Sequence, residues 1–451
     1  MKGNMALAGA EAFLQRLYVQ LEDAEDDSAI ELTENNAEIA RTFRNLAGRL
    51  TDQVDHNLAV QLDCVINSAY ERMSSSTCTA SFFWRKLYAD ACISKALVLI
   101  LTSQLDLHES VARTSIATLD HAIILAGAPG GTSLELILDM IKWIQANALW
   151  QDRVLTTCNH QFRTTHDVVP QPSSATGRVP CITPPSLMAF QSTWCQSPFV
   201  LKGYVTDWPA IKQWISVDYL YSIAGPGRIV PVEIGNDYRS DDWTQKLLGW
   251  EELLSVLSSQ DTDSGQVLYL AQHDLLKQFP ALTEDIRVPD YAYMSPGPSA
   301  SYPTYKAPSN EDQLVINVWF GSKGTISPAH TDPFFNCYAQ VVGRKTVWLA
   351  PPDVEAFMYP YGPSPTIMND KAHHPAANTV EPLMSNTSQV DVFSTSMVAE
   401  HASERHRAFW DGVPEKALSV TLDPGDLLIF PPGWWHAMRS EDVSFSVSIW
   451  F

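Results

Sequence analysis

Apolar residues recur three and four positions apart from about Ala6 to Ala148, as in Ile39, Phe43, Leu46 and Leu50. That spacing lines one face of an α-helix. The period returns in Phe82 to Leu105, Val111 to Leu125 and Leu134 to Trp150, with breaks such as Gly127-Ala128-Pro129-Gly130-Gly131 between runs. Short breaks make antiparallel neighbours, so residues 1–150 are expected to form a helical domain.

The pattern then changes. Residues 151–185 crowd Pro170, Pro172, Gly177, Pro180, Pro184 and Pro185 into a stretch with little periodicity, which reads as a linker. From 186 to 451 short β-type runs dominate: Phe199 to Leu201, Arg228 to Ile234, Val267 to Leu270, Val315 to Phe320, Asn336 to Val342, Thr346 to Leu349, Leu427 to Phe430 and Phe445 to Phe451. Short strands broken by Gly and Pro turns suggest a barrel or jelly roll, so the fold class is α+β. One interruption, about 353–416, carries Pro360, Pro363, Pro365 and His373-His374-Pro375. A segment of that length inside a barrel reads as a functional lid or a partly disordered insertion.

Composition narrows the classes. A net charge of −21 gives no broad basic surface for phosphate backbones, so direct nucleic-acid binding is not expected. An acidic surface does attract Lys- or Arg-rich peptides. The longest apolar run, Ala96 to Leu101, is far short of the roughly 20 residues that span a bilayer, which argues against a membrane partner. Glu11 and Arg16 interrupt any secretory h-region, and the seven cysteines are scattered with no C-x-x-C pair. The expectation is a protein that is not secreted, in the nucleus or cytoplasm, with reduced thiols.

The candidate chemistry begins at Ser327-Pro328-Ala329-His330-Thr331-Asp332-Pro333. Residues i and i+2 of an extended chain share a face, so His330 and Asp332 can converge on one ion. His436, in Pro431-Pro432-Gly433-Trp434-Trp435-His436, can supply a second imidazole. Two imidazoles and one carboxylate leave three positions open on an octahedral metal, which suits non-haem iron. A closed zinc site would want four ligands, and no cysteine is suitably spaced. Taken singly, each motif is also compatible with chance or with a histidine in the core.

Lys345 sharpens the reading. In Gly343-Arg344-Lys345-Thr346-Val347-Trp348-Leu349, strand alternation places Lys345 with Val347 and Leu349 on one face. A buried ammonium needs an anion, and the distal carboxylate of 2-oxoglutarate would supply one. Alternatively its stem lies on apolar neighbours and its head reaches the barrel rim.

With Trp319-Phe320-Gly321, Gly324-Thr325-Ile326-Ser327-Pro328, H-x-D and Gly-Arg-Lys in place, the chain resembles the JmjC family over about Pro198 to Phe451. The likeness also takes in Val230 to Gly235, Tyr269 to His273 and Ser444 to Ser448. The resemblance implies a double-stranded β-helix, a cupin-like barrel, with His330, Asp332 and His436 holding Fe(II). It implies 2-oxoglutarate held by Lys345 and Tyr269, with Ser327 and Asn336 as further hydrogen-bonding positions. For the substrate it suggests a basic protein or peptide, offering Arg or methyl-Lys, gripped by Glu233, Trp243, Gln272 and Trp450. The 353–416 insertion, and Phe334, Phe335, Cys337 and Tyr338 after the H-x-D, depart from the animal members.

The activity expected is therefore that of an Fe(II)- and 2-oxoglutarate-dependent dioxygenase hydroxylating a protein side chain, arginine first. Histone lysine demethylation is the alternative within the class. Other classes are a cupin-like binding or scaffold protein without catalysis, and a metal-dependent isomerase or hydrolase on the same barrel.

Overall fold

The computed structural model describes residues 2–28, 34–51, 54–75, 81–103, 107–150, 160–164, 172–235, 237–239, 243–259, 267–299, 301–361, 384–394 and 405–451. Six helices fall where the three-to-four spacing places them: α1 (Lys2–Ser28), α2 (Glu34–Gly48), α3 (His56–Met73), α4 (Ser81–Thr102), α5 (Glu109–Ile124) and α6 (Ser133–Ile144). α4 buries side chains around most of its girth, from Phe83 and Trp84 to Val98 and Ile100, because α1, α3 and α5 all pack on it. Asp55 starts α3 by accepting from Leu58 N at 2.8 Å, which satisfies one of the free N–H groups of its first turn.

This helical unit is not continuous in sequence, which a boundary at residue 150 does not anticipate. Tyr221–Pro231 and Leu247–Ser255 group with Met1–Cys158. The reason is a buried ion pair that local periodicity cannot reveal. Asp120, fully buried, accepts from Arg228 Nε at 3.0 Å, Arg228 Nη2 at 2.6 Å and Ile229 N at 2.9 Å.

The second unit carries strands β1 (Gly177–Arg178), β2 (Phe199–Leu201), β3 (Ile229–Ile234), β4 (Thr244–Gly249), β5 (Leu268–His273), β6 (Val315–Gly321) and β7 (Ile326–Thr331), although residues 229–231 of β3 and 247–249 of β4 group with the helical unit. It continues with β8 (Asn336–Val342), β9 (Lys345–Ala350), β10 (Leu418–Leu422), β11 (Leu427–Phe430), β12 (Trp435–Ser440) and β13 (Ser444–Trp450). They form a five-stranded sheet, β1-β10-β9-β12-β7, and an eight-stranded sheet, β2-β11-β8-β13-β6-β5-β3-β4. Val347, Leu349 and Met438 from the first meet Val200, Tyr338, Leu428 and Phe430 from the second in one core. Two largely antiparallel sheets packed face to face make the cupin-like barrel that the short strands imply.

β1, β4, β7, β10 and β12 lie outside the runs read as strands. β1 comes from the segment read as a linker, where residues 172–185 are described and 151–159 and 165–171 lie outside the described residues. Two residues at a sheet edge, paired in parallel with β10, tolerate the flanking prolines that would break a central strand.

The outer face of the five-stranded sheet is apolar as well, through Ala329, Trp348, Ala350, Trp435 and Ala437. Val354, Met358, Val390, Phe409 and Val413 cover it. These come from 353–416, so the described part of the segment read as an insertion is sheet cover. Residues 362–383 and 395–404 of it lie outside the described residues.

Candidate active site

β7 carries His330, and Asp332 follows the strand's end, where its carbonyl accepts from Gly433 N at 2.9 Å. β12 carries His436 directly opposite His330, with the ring centroids 4.2 Å apart. Between His436 and Met438 the pairing skips one residue of β7, so Met438 faces Ser327. That bulge turns Ser327 and His330, three residues apart, toward the same side of the sheet.

Each imidazole is oriented by its own chain. His330 Nδ1 lies 2.7 Å from Pro328 O, and His436 Nδ1 lies 3.0 Å from Trp434 O. A carbonyl only accepts, so both Nδ1 atoms carry a proton, which leaves Nε2 as the atom of each ring that can ligate a metal. His436 Nε2 is 3.4 Å from Asp332 Oδ2, and one ligand atom from each of the three residues lies within 4.8 Å of the others. Burial first, and the neighbouring His436 second, push His330 down to about 4, so it is neutral at physiological pH. Burial alone would raise Asp332, but the hydrogen bond and charge of His436 outweigh it and hold the carboxyl below its usual range. Two imidazoles and one carboxylate fit a divalent metal such as Fe(II) with open positions.

Lys345 opens β9 with 1% of its surface exposed. Its Nζ donates to Tyr269 Oη at 3.3 Å and lies 5.3 and 5.8 Å from the ring centroids of Tyr269 and Tyr338. Burial drags this lysine down to about 7. Burial also drives Tyr269 far above its ordinary value, partly offset by its hydrogen bond with Ser327. Nearby, 5.9 Å from the Tyr269 ring, stands Trp319, whose buried indole N–H has no acceptor among the described residues. Buried donors usually find acceptors, so this cluster fits an acceptor-rich anion of the dicarboxylate type. Gly321 permits the arrangement, because a Cβ there would come within 2.5 Å of Leu268 O and 2.7 Å of Tyr269 Cδ2. Asn336 is 3% exposed and accepts from Ser448 Oγ at 3.2 Å.

The candidate substrate residues are reached from Tyr269 by sheet register. Glu233 pairs with Tyr269 across β3 and β5, and Trp243 Nε1 donates to Glu233 Oε2 at 3.3 Å. Burial raises the Glu233 carboxyl, with hydrogen bonds from Trp243 and Gln245 opposing it. Such a carboxylate gains from a cation that restores its charged form. Trp450 pairs with Asn336 across β13 and β8, and its ring lies 5.6 Å from that of Phe334. Gln272 is exposed, at the β5 bulge, with a left-handed φ of 49° that costs a non-glycine residue free energy.

Three residues at the site carry no site role in the motif reading. Trp319 shares a face with Asn317 by strand alternation, a signal present in Val315 to Phe320 but masked by its resemblance to ordinary core. Tyr338 reads as core for the same reason. Phe334 has no local signal at all, since its role depends on Trp450 from another strand.

Comparisons with known proteins agree with this geometry. A family model described as a cupin-like domain matches residues 189–451. The chain is 30% identical over 408 residues to the zebrafish (Danio rerio) protein named lysine-specific demethylase 8, covering 87% of each. It is 33% identical over 375 residues to Jumonji C domain-containing protein 5 of Drosophila melanogaster, covering 81% of this chain and 80% of that one. It is also 33% identical over 255 residues to lysine-specific demethylase JMJ30 of Arabidopsis thaliana, covering 56% of this chain and 50% of the relative. With the barrel, the His-Asp-His site and these matches together, the chain belongs to the cupin-like JmjC family.

Proposed function

We propose that the protein is an Fe(II)- and 2-oxoglutarate-dependent oxygenase that hydroxylates a protein side chain ending in a cation, arginine first. The observation that carries this reading is Lys345: a buried ammonium, lacking a carboxylate partner among the described residues, in the same barrel as three convergent metal donors. His330, Asp332 and His436 would hold the iron. Lys345, Tyr269 and Ser327 would hold the distal carboxylate of the cosubstrate, with Trp319 and Asn336 contributed, like Tyr269, by the eight-stranded sheet.

When bound, iron with 2-oxoglutarate and dioxygen supplies an oxidant able to break an aliphatic C–H bond. The overall balance is 2-oxoglutarate, dioxygen and R–H going to succinate, carbon dioxide and R–OH. This chain's residues bind the cosubstrate, keep the barrel interior dry and position the C–H bond. Glu233 would pair with the substrate cation while Trp243 and Trp450 offer π-faces to a guanidinium.

A second reading is demethylation of a methyl-lysine, favoured by the names of the zebrafish and Arabidopsis relatives. There the same oxygen insertion falls on an N-methyl carbon, and the product loses formaldehyde. A basic-peptide library incubated aerobically with iron, 2-oxoglutarate and ascorbate separates the two by mass spectrometry. Gain of one oxygen on Arg supports hydroxylation, whereas loss of a methyl from Lys supports demethylation. Absence of succinate release with every peptide would overturn the oxygenase reading, and turnover without dioxygen would point to isomerase or hydrolase chemistry.

A further inference from the structure

β7 is the edge strand of its sheet, yet the backbone around His330 is paired on its outer side. Thr331, which separates the two ligands His330 and Asp332, donates its N–H to Asn386 O at 3.1 Å. Its carbonyl accepts from Asn386 Nδ2 at 3.0 Å. On the other side of His330, Ser388 N donates to Ala329 O at 2.7 Å, and His330 itself forms an antiparallel bridge with Thr387. An edge strand left open presents a row of free backbone groups and shifts register easily. Here the row is closed at the residues that carry the metal ligands.

The closing segment is itself anchored on its far side. Tyr361 N donates to Thr387 O at 2.9 Å, and Gln389 N donates to Tyr359 O at 3.0 Å. Arg239 Nη1 donates to Val390 O at 2.9 Å while the Asp237 carboxylate holds its guanidinium. Thr387 and Ser388 are buried, and Asn386 is exposed. The segment is thus a short extended stretch bridged on both edges, and Asn386 is its two-point grip on Thr331.

We propose that residues 386–388 are a positioning element of the metal site, pinning the backbone on both sides of His330 so that His330 and Asp332 are held in ligating geometry before metal arrives. The proposal rests on reading His330, Asp332 and His436 as metal ligands. Asn386 touches neither metal nor substrate, and it acts through the peptide units flanking Thr331. Partners of this kind, one step removed from a metal, affect affinity by tenfold to a hundredfold when lost, and an exposed one belongs at the low end of that range, about tenfold.

The test uses the full-length chain and Mn(II) and Co(II) as probes. Asn386→Ala keeps the backbone acceptor for Thr331 and removes the side-chain donor. It is expected to weaken Mn(II) binding, followed by electron paramagnetic resonance, about five- to tenfold. It is also expected to change the visible bands of bound Co(II), while the melting temperature of the metal-free protein stays within a few degrees. Unchanged Mn(II) affinity with an unchanged Co(II) spectrum would overturn the proposal. Should the alanine variant prove insoluble, Asn386→Asp removes the same donor at nearly the same shape, and the same outcomes decide. Failure of the unaltered chain to bind Mn(II) would overturn the metal reading itself and the proposal with it.

Discussion

His436 stands opposite His330 across β12 and β7, and one extra residue in β7 then brings Ser327 onto the same inner side. The metal donors and the hydroxyl beside Tyr269 therefore share a wall despite their odd spacing. His330→Ala removes one of the three convergent donors found among the described residues. It is expected to weaken Mn(II) binding by more than the roughly hundredfold that loss of a supporting partner can cause. Succinate release with an accepted peptide should fall to background, and retention of turnover would exclude His330 as a ligand.

Lys345→Met is expected to separate stability from function. It replaces a buried amine with an apolar chain of similar length, so the ligand-free protein should melt a few degrees higher. Binding of 2-oxoglutarate, read by calorimetry, should weaken at least about a hundredfold, since truncating one partner of a buried charged pair costs roughly 2–5 kcal/mol. A melting temperature that drops would argue that Lys345 is already paired in the free protein.

The same lysine predicts a pH dependence whose sign can be worked out. Its folded value is pushed down to about 7, whereas the unfolded value is the ordinary 10.5. Between those limits the unfolded chain binds more protons, so this group makes the stability of the ligand-free protein rise with pH. The contribution is lost as pH falls through about 7. Binding of 2-oxoglutarate needs the charged form, so above pH 7 it should take up a proton and weaken up to tenfold per pH unit. Calorimetry in buffers of different ionisation enthalpy reads that proton, and an affinity flat from pH 7 to 9 would contradict the assignment.

Gly321→Ala tests the packing behind Tyr269. Its Cβ would press on Leu268 O and the Tyr269 ring, so the ring must move away from Lys345. The expected result is about tenfold weaker 2-oxoglutarate binding, within the usual loss of one charge-assisted hydrogen bond. Metal affinity should change less than cosubstrate affinity.

In the helical unit, Asp120→Ala leaves Arg228 buried without its carboxylate. Breaking a buried pair in this way costs roughly 3–5 kcal/mol. Urea unfolding of that unit should shift to correspondingly lower midpoint, and a shift under about 1 kcal/mol would mean the guanidinium relaxes to solvent.

Glu233→Gln keeps the shape of the carboxylate and removes its charge. With an arginine peptide it should raise KM about tenfold or more while leaving 2-oxoglutarate binding nearly unchanged. Equal effects on a neutral peptide would show that Glu233 supports the β3–β4 turn instead of reading charge.

Much of this was legible in order along the chain. Three-to-four spacing marks α1 to α6, and two-residue alternation puts Lys345, Val347 and Leu349 on one face, because both periods follow from local backbone geometry. His330 and Asp332 share a face for the same reason. β4, Thr244 to Gly249, carries too little apolar alternation to mark it as a strand, whereas β10 does alternate through Leu418, Val420 and Leu422.

The sequence by itself therefore determined the helical and stranded halves, the buried lysine and the pair of ligands that one strand can present. Only the tertiary structure decided that His436 lies across from His330, that a bulge aligns Ser327 with it, and that Asn386 grips the peptide between the two ligands. Periodicity reports which face of an element is buried, a property of neighbouring residues. Register, bulges and edge pairing are set by contacts between segments far apart in the chain, and no local pattern encodes them.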